Sequence, residues 1–262
     1  GSGLLTSTCV TIAWNGIRWI AGGNGSSQVI YSLDGITWTG MGKTTFTSVG
    51  QAVTYANGLW VAGGQGGNSI ATSTDGITWT GRGRTIFSTQ SFGVAYGQVF
   101  ITKPTYVAVG EGTNTLVTSV NGTNWRRTYV QPFNTPLAGY SIAWNGVMWI
   151  AGSGSPNGNG SFASSEDGII WTTATSSSMT TEINGIAYGK DGSGAGLWVA
   201  VGQGGNTIAT SSNGTTWTGR SISMLSPGKS VAYGKDTSGN GLWVAVGSGG
   251  NTIATSTNGT TW

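Results

Sequence analysis

Small and apolar residues alternate with polar ones at a period of two along most of the chain, and short glycine-rich stretches separate the alternating runs, which is how half-buried strands are written. A first type of run reads TIAW, AVTY, GVAY, SIAW, GIAY and SVAY and ends at Trp14, Tyr55, Tyr96, Trp144, Tyr188 and Tyr233. A second reads RWIAG, LWVAG, TYVAV, MWIAG, LWVAV and LWVAV. The third carries QVIYS, SIATS, TLVTS, SFASS, TIATS and TIATS. An Asp-Gly or Asn-Gly pair follows, the strongest short hairpin signal because both central residues of a type I′ turn need positive φ. It predicts a hairpin into a short fourth strand built on a closing tryptophan.

The runs recur as one repeat. Gly185 to Trp217 and Ser230 to Trp262 match at 27 of 33 positions, and four more divergent copies precede them. The closing tryptophans are Trp38, Trp79, Trp125, Trp171, Trp217 and Trp262, spaced by 41, 46, 46, 46 and 45 residues. Four antiparallel strands in a unit of about 45 residues make the blade of a β-propeller. The expected fold is therefore all-β, a six-bladed propeller of four-stranded blades forming one domain over 1–262. The approximate units are 1–40, 41–81, 82–127, 128–173, 174–219 and 220–262, with residues 1–12 completing the linker from the last unit to the first.

The segments Ser32 to Trp38, Ser73 to Trp79, Ser119 to Trp125, Ser165 to Trp171, Ser211 to Trp217 and Ser256 to Trp262 resemble the Asp-box, or bacterial neuraminidase repeat, SxDxGxTW. The chain is also similar to the VAYGNG/SxDGxTW repeats of bacterial and viral surface propellers. Each box here is one residue shorter between the acid and the glycine, and Asn121, Asn213 and Asn258 replace the aspartate in three copies. The resemblance implies a propeller in which the box is a structural turn at the blade periphery, with no catalytic role.

Composition narrows the chemistry. Glycine accounts for 48 of 262 residues and charged residues for 7%, against about 7% and about 25% in average globular domains. Glycine costs about 1 kcal/mol per interior helix position, which excludes a helical bundle. Thirteen tryptophans supply apolar surface to bury, and all of them fall at repeated positions: six close boxes, five lie on the second strand and two end the first. They are read as core or inter-blade packing residues, against the alternative of a ring of sugar-stacking platforms. The chain has no histidine, so histidine-based triads and most zinc chemistry are absent. A single cysteine, Cys9, allows no intrachain disulfide. No apolar run approaches the roughly 18 residues of a membrane helix.

Few residues are left for catalysis. Three of the eight carboxylates, Asp34, Asp75 and Asp167, sit in boxes and Glu166 adjoins one; Asp191 and Asp236 lie in the first hairpins of the last two units. Only Glu111 and Glu182 fall outside turns. Glycoside hydrolysis needs two facing carboxylates, and a sialidase of the resembled family would add an arginine cluster and a tyrosine nucleophile. Neither enzyme activity nor any cofactor or metal is expected. Asn24, Asn121, Asn159, Asn213 and Asn258 begin NxS/T sequons that are equally the spelling of tight turns.

Charge placement gives the functional lead. Loops and linkers on one end of the strands would carry Lys43, Arg82, Arg84, Arg126, Arg127, Arg220 and Lys229 with Glu111 and Glu182, a net +5, leaving −2 on the other end. The same linkers hold Met41, Phe46, Phe87, Phe92, Tyr129, Phe133, Tyr140, Met179 and Met224. The candidate ligand-binding residues are Arg82, Arg84, Arg126, Arg127, Tyr129, Phe133, Arg220 and Lys229, suited to an anionic glycan or a protein through charge-assisted hydrogen bonds and stacking. The alternative is that the cations serve solubility while the aromatics plug gaps between blades. A non-catalytic binding or structural module is expected, against a duplicated or engineered scaffold without a ligand and a sialidase-like hydrolase. It is expected to be a monomer of the extracellular, virion or cell surface, with no nucleic-acid or membrane partner.

Overall fold

The structure, a computed structural model, describes residues 3–98, 105–133, 137–154, 160–175, 179, 181–220 and 225–262. Met224 and Asn159 lie outside them. The chain divides into two compact bodies, Gly1–Gln131 and Pro132–Trp262. Every regular element among the described residues is a strand.

The first body holds three repeat units. Unit one comprises β1 (Thr8–Trp14), β2 (Trp19–Asn24), β3 (Val29–Ser32) and β4 (Thr39–Gly40). Unit two comprises β5 (Val49–Ala56), β6 (Leu59–Gln65), β7 (Ile70–Ser73) and β8 (Thr80–Gly81). Unit three comprises β9 (Gln90–Gly97), β10 (Thr105–Glu111), β11 (Leu116–Ser119) and β12 (Arg126–Arg127). The second body continues with β13 (Ala138–Trp144), β14 (Trp149–Gly154), β15 (Ser161–Ser165) and β16 (Thr172–Thr175). Unit five holds β17 (Glu182–Lys190), β18 (Gly196–Gln203), β19 (Ile208–Ser211) and β20 (Thr218–Gly219). Unit six has three strands, β21 (Gly228–Lys235), β22 (Gly241–Gly247) and β23 (Ile253–Ser256). Within each unit consecutive strands pair antiparallel. Single bridges, Gln65 to Gln90 and Gly154 to Glu182, join units two and three and units four and five into larger sheets.

The hydrophobic cores lie between successive sheets. Phe46, from the linker after unit one, is buried with Ile20 and Val29 on one side and Trp60 and Ala62 on the other. Phe87 fills the same place between units two and three, Met179 between four and five, and Leu225 between five and six. Trp60, Trp149, Trp198 and Trp243 are fully buried, as repeated second-strand positions predict. In every unit the aromatic that ends the first strand meets the one opposite it on the second, from Trp14–Trp19 at 4.8 Å between ring centres to Tyr96–Tyr106 at 5.0 Å. Cross-strand aromatic pairs of this kind each contribute roughly 0.5–1.5 kcal/mol beyond area burial.

Two local features differ from the sequence expectation. The box does not form a type I′ hairpin. Gly35 has φ +73°, while Asp34 is not in the positive-φ region, and the connection runs from Ser32 to Thr39. The type I′ geometry instead occurs at Asn57-Gly58, where φ is 48° and 76° and two residues join β5 to β6. The fourth strand also starts one residue after the tryptophan rather than on it.

The second feature is a bulge in all six first strands. The register skips Val10, Gln51, Phe92, Tyr140, Asn184 and Lys229. The first strands consequently extend two or three residues ahead of the tetrads seen in the sequence, and β1 already begins at Thr8. The bulge brings backbone close to the second strand. A Cβ on Gly64 would lie 2.5 Å from the Val49 carbonyl oxygen, and one on Gly202 would lie 1.9 Å from that of Glu182. Glycine at this second-strand position relieves that close approach in five units, while in the fourth Ser153 occupies it opposite Gly139.

Candidate functional site

The box loops consume their own polar groups. In unit two the Ser73 hydroxyl donates to Asp75 Oδ1 at 2.8 Å and accepts from the Gly76 amide at 2.8 Å. The same Oδ1 accepts from the Ile77 and Thr78 amides at 2.8 and 2.7 Å, and the Trp79 indole donates to the Gly76 carbonyl at 3.3 Å. The amides of Ile36 and Thr37 hold the Asp34 carboxyl down to about 2, and those of Ile77 and Thr78 do the same for Asp75. Where asparagine replaces the acid, its amide oxygen does the same work, Asn121 Oδ1 accepting from Thr123 and Asn124 at 3.0 and 2.8 Å. A charge is thus dispensable and an acceptor is not. These side chains fix a turn, and a carboxylate so held is a poor general acid.

The hairpin acids behave alike. Asp191 accepts from the Ser193 hydroxyl and amide at 2.7 and 2.8 Å, and Asp236 from the Ser238 and Asn240 amides at 2.8 Å each. These hydrogen bonds lower both carboxyl pKa values. Glu166 and Asp167 sit on a shallow cavity of about 430 Å³ with Met148 and Ile170, but Asp167 is tied to its own loop by the Ile169 and Ile170 amides.

The eight candidate binding residues separate into distinct settings. Arg82 and Arg220 extend the fourth strands of units two and five, and each guanidinium lies on the third strand, Arg82 donating to Thr72 Oγ1 at 3.1 and 2.6 Å and Arg220 to Thr210 Oγ1 at 2.8 Å. Arg84 is exposed and donates to the Ser88 carbonyl. Arg126 and Arg127 are both exposed on β12, but successive strand residues point to opposite faces. Arg126 belongs to the box end rather than the linker end, sharing a cavity of about 250 Å³ with Val120, Asn121, Asn124 and Trp125.

Two expectations are corrected by burial and register. Phe133 is 1% exposed and packs in the interior, so its ring cannot meet a ligand. Phe46, Phe87 and Met179 are buried as well, which makes these linker residues plugs between sheets. Lys229 is not in a linker; it is the exposed bulge residue of β21. Tyr129 is the contrast, 94% exposed and followed by Val130 at 59%. Arg126, Arg127 and Tyr129 are thus neighbours in sequence at the end of unit three, with the two arginines on opposite faces of β12, and Arg82, Arg84, Arg220 and Lys229 lie elsewhere.

Sequence reasoning missed a polar chain at the bulges. Gln51 Nε2 donates to Gln90 Oε1 at 3.3 Å, and Gln90 Nε2 donates to Glu111 Oε2 at 3.1 Å. Gln90 and Glu111 face each other across β9 and β10, and Glu182 and Gln203 face each other across β17 and β18, the same pair with the strands exchanged. Asn184, the bulge residue there, donates to Glu182 at 3.4 Å and to the Gly228 carbonyl at 3.0 Å. The two carboxylates that turns do not use are thus held by neighbouring amides. The repeated second-strand glycine is the signal that would have placed these bulges.

Among the described residues no helix is long and apolar enough to cross a membrane. No protein-family model matches the chain, and no curated protein matches it at a significant level. Solved structures do. A structure of YCF48 bound to D1 peptide aligns with a TM-score of 0.62 at 15% identity, covering 98% of this chain and 81% of that one. A nidogen chain in a nidogen/laminin complex aligns with a TM-score of 0.53 at 13% identity, covering 88% of each. Both are β-propellers, and the repeated antiparallel sheets described above have the β-propeller fold.

Proposed function

We propose that the chain is a non-catalytic binding module, a six-bladed propeller of the Asp-box type that recognises an acidic segment of a partner protein at the end of its third unit. The observation that carries this reading is Tyr129, 94% exposed and following the exposed Arg126 and Arg127 in sequence, while Phe46, Phe87, Phe133 and Met179 of the linkers are buried. An exposed ring that follows an arginine-bearing strand suits a carboxylate-bearing peptide, since a guanidinium supplies paired donors and the ring supplies contact area. The occupation of Asp34, Asp75, Asp167, Asp191 and Asp236 by turn amides supports the non-catalytic part. Two propellers with this fold were solved in complexes, one with a peptide and one in a nidogen/laminin complex, which supports a protein partner.

An anionic glycan is the second reading, favoured by the same exposed ring as a stacking platform for a sugar. Acidic peptides and sulfated or sialylated glycans, arrayed separately, distinguish the two. Tyr129→Ala combined with Arg126→Ala and Arg127→Ala is expected to abolish the signal on whichever array responds. Undiminished binding by the triple variant, or turnover of a fluorogenic sialoside by the wild type, overturns the proposal.

A further inference from the structure

Asn-Gly is the commonest turn spelling in this chain, and it has a chemistry of its own. A glycine amide, unhindered by a side chain, can attack the carboxamide of the asparagine before it. Whether it does so depends on the freedom of that amide, the freedom of the carboxamide and the give of the backbone between them.

Most copies are restrained. Asn213 Oδ1 accepts from the Ser211 hydroxyl and the Thr215 and Thr216 amides at 3.1, 3.0 and 2.9 Å, and Asn258 Oδ1 accepts from Ser256, Thr260 and Thr261 at 3.0, 2.9 and 2.9 Å. The glycine amides that follow, Gly214 and Gly259, each donate to the box serine at 2.8 Å, so nucleophile and carboxamide are tied at once. Asn121 Oδ1 keeps the same three bonds at 3.1, 3.0 and 2.8 Å. Outside the boxes, Asn15 and Asn145 each hold Oδ1 on two backbone amides. Gly25, after Asn24, is buried against the Leu4 and Leu5 backbone. Gly185 and Gly241, after Asn184 and Asn240, are paired in the ladder opposite Val201 and Lys235. Asn157 and Asn159 fall outside the described residues.

Asn57-Gly58 escapes these restraints. Both residues are exposed in the two-residue turn between β5 and β6. Among the described residues neither the Gly58 amide nor Asn57 Oδ1 has a hydrogen-bond partner, and the one bond of the carboxamide runs from Nδ2 to the Tyr96 hydroxyl at 2.8 Å. A Cβ on Gly58 would meet nothing within 4 Å, so space around the amide is open. Asn57 is also the one non-glycine residue at positive φ among the described residues, a conformation that sterics resist.

We propose that Asn57 is a modification site of the folded protein, converted to aspartate and isoaspartate, while the boxes protect asparagines of the same spelling. The Gly58 nitrogen bonds to Asn57 Cγ as the bond from Cγ to Nδ2 breaks, and the glycine amide proton passes through solvent to the nitrogen that leaves as ammonia. Water then opens the cyclic imide, at Cγ to give aspartate or at the main-chain carbonyl to give isoaspartate. No electrons are exchanged with an outside group. Either product replaces the amide donor beside Tyr96 with an acceptor-only carboxylate. Isoaspartate also adds a carbon to the backbone of a turn that has only two residues to set the register of β5 on β6.

Folded wild type held in mildly alkaline buffer and sampled over time tests the assignment. Peptide mass spectrometry reads the amide-to-acid mass gain at each Asn-Gly, and isoaspartyl methyltransferase labelling reads the isoaspartate. Asn57 is expected to convert at least about tenfold faster than Asn213 and Asn258, because reaction in a box first breaks several hydrogen bonds, each a factor of about 2–10 in population. In guanidinium the three sites are expected to react at matching rates. Ser211→Ala, which frees the Gly214 amide, is expected to raise the rate at Asn213 several-fold and leave Asn57 unchanged, with circular dichroism confirming the fold. Asn57 converting no faster than Asn213 in folded wild type overturns the proposal, a comparison that needs no variant. A folded Ser211→Ala protein in which Asn213 stays as slow as in wild type overturns the protective role of the box.

Discussion

Replacing the acceptor in one box loop separates hydrogen bonding from charge. Asp75 Oδ1 accepts from two backbone amides at 2.8 and 2.7 Å and from the Ser73 hydroxyl at 2.8 Å. Asp75→Ala removes all three. A net hydrogen bond contributes about 0.5–1.5 kcal/mol, and water can reach the freed amides of this exposed loop, so the expected loss is about 1–2 kcal/mol rather than the full sum. At about 2–4 °C per kcal/mol for a chain of this size, the unfolding midpoint should drop by roughly 2–8 °C. Asp75→Asn should stay within about 0.5 kcal/mol of wild type, because Asn213 and Asn258 accept the same two amides at 2.9–3.0 Å. The carboxyl of Asp75 is lowered from 3.8 to about 2, chiefly by the Ile77 and Thr78 amides. Its charge-dependent contribution is therefore complete above the ordinary carboxylate value and fades as pH falls toward about 2. Wild type and Asp75→Ala should converge over that window, while Asp75→Asn, which does not titrate there, should keep its advantage over Asp75→Ala. Tryptophan fluorescence during denaturant unfolding, at neutral and acidic pH, measures each difference. An alanine variant as stable as wild type at neutral pH, or an asparagine variant as damaged as alanine, refutes the reasoning.

Other substitutions probe the core and the backbone. Phe87→Ala, which empties a fully buried site between units two and three, should cost about 3–5 kcal/mol in the same unfolding assay. Tyr129→Ala should change stability by less than about 0.5 kcal/mol while weakening peptide binding, as titration calorimetry would read. Gly76→Ala and Gly83→Ala share φ +73°, but only the first would press a Cβ to 3.0 Å from Trp60 Nε1 and 3.1 Å from Ile20 Cδ1. Both should lose about 1–2 kcal/mol to left-handed strain, and Gly76→Ala should lose measurably more.

Period-two alternation and the recurring tryptophans are enough to read the strands and their order within a repeat, because both express burial that every unit must satisfy. Other features depended on geometry that residue identity does not encode. Asp34-Gly35 and Asn57-Gly58 are near-synonyms in sequence, yet only the second forms a two-residue turn; Asp34 instead accepts amides two and three residues ahead and opens a longer loop. Phe133 and Tyr129 stand four residues apart in one linker, yet one is buried and the other 94% exposed, a difference that residue type does not encode. The sequence alone puts Lys229 in a linker because the bulge that draws it into β21 has no side-chain signature of its own. Its trace is the glycine across the ladder, Gly247, whose role appears only once a Cβ there is seen to fall 2.4 Å from the Pro227 carbonyl oxygen.

The bulge positions are occupied by valine, glutamine, phenylalanine, tyrosine, asparagine and lysine, six different residues on one recurring backbone geometry. A bulged residue owes nothing to strand register, because its neighbours on either side make the pairing without it. Mutation can therefore rewrite its charge, size or polarity while the ladder stays in phase. The chain in this sense carries six interchangeable sockets, where chemical novelty can accumulate one unit at a time without renegotiating the architecture that displays it.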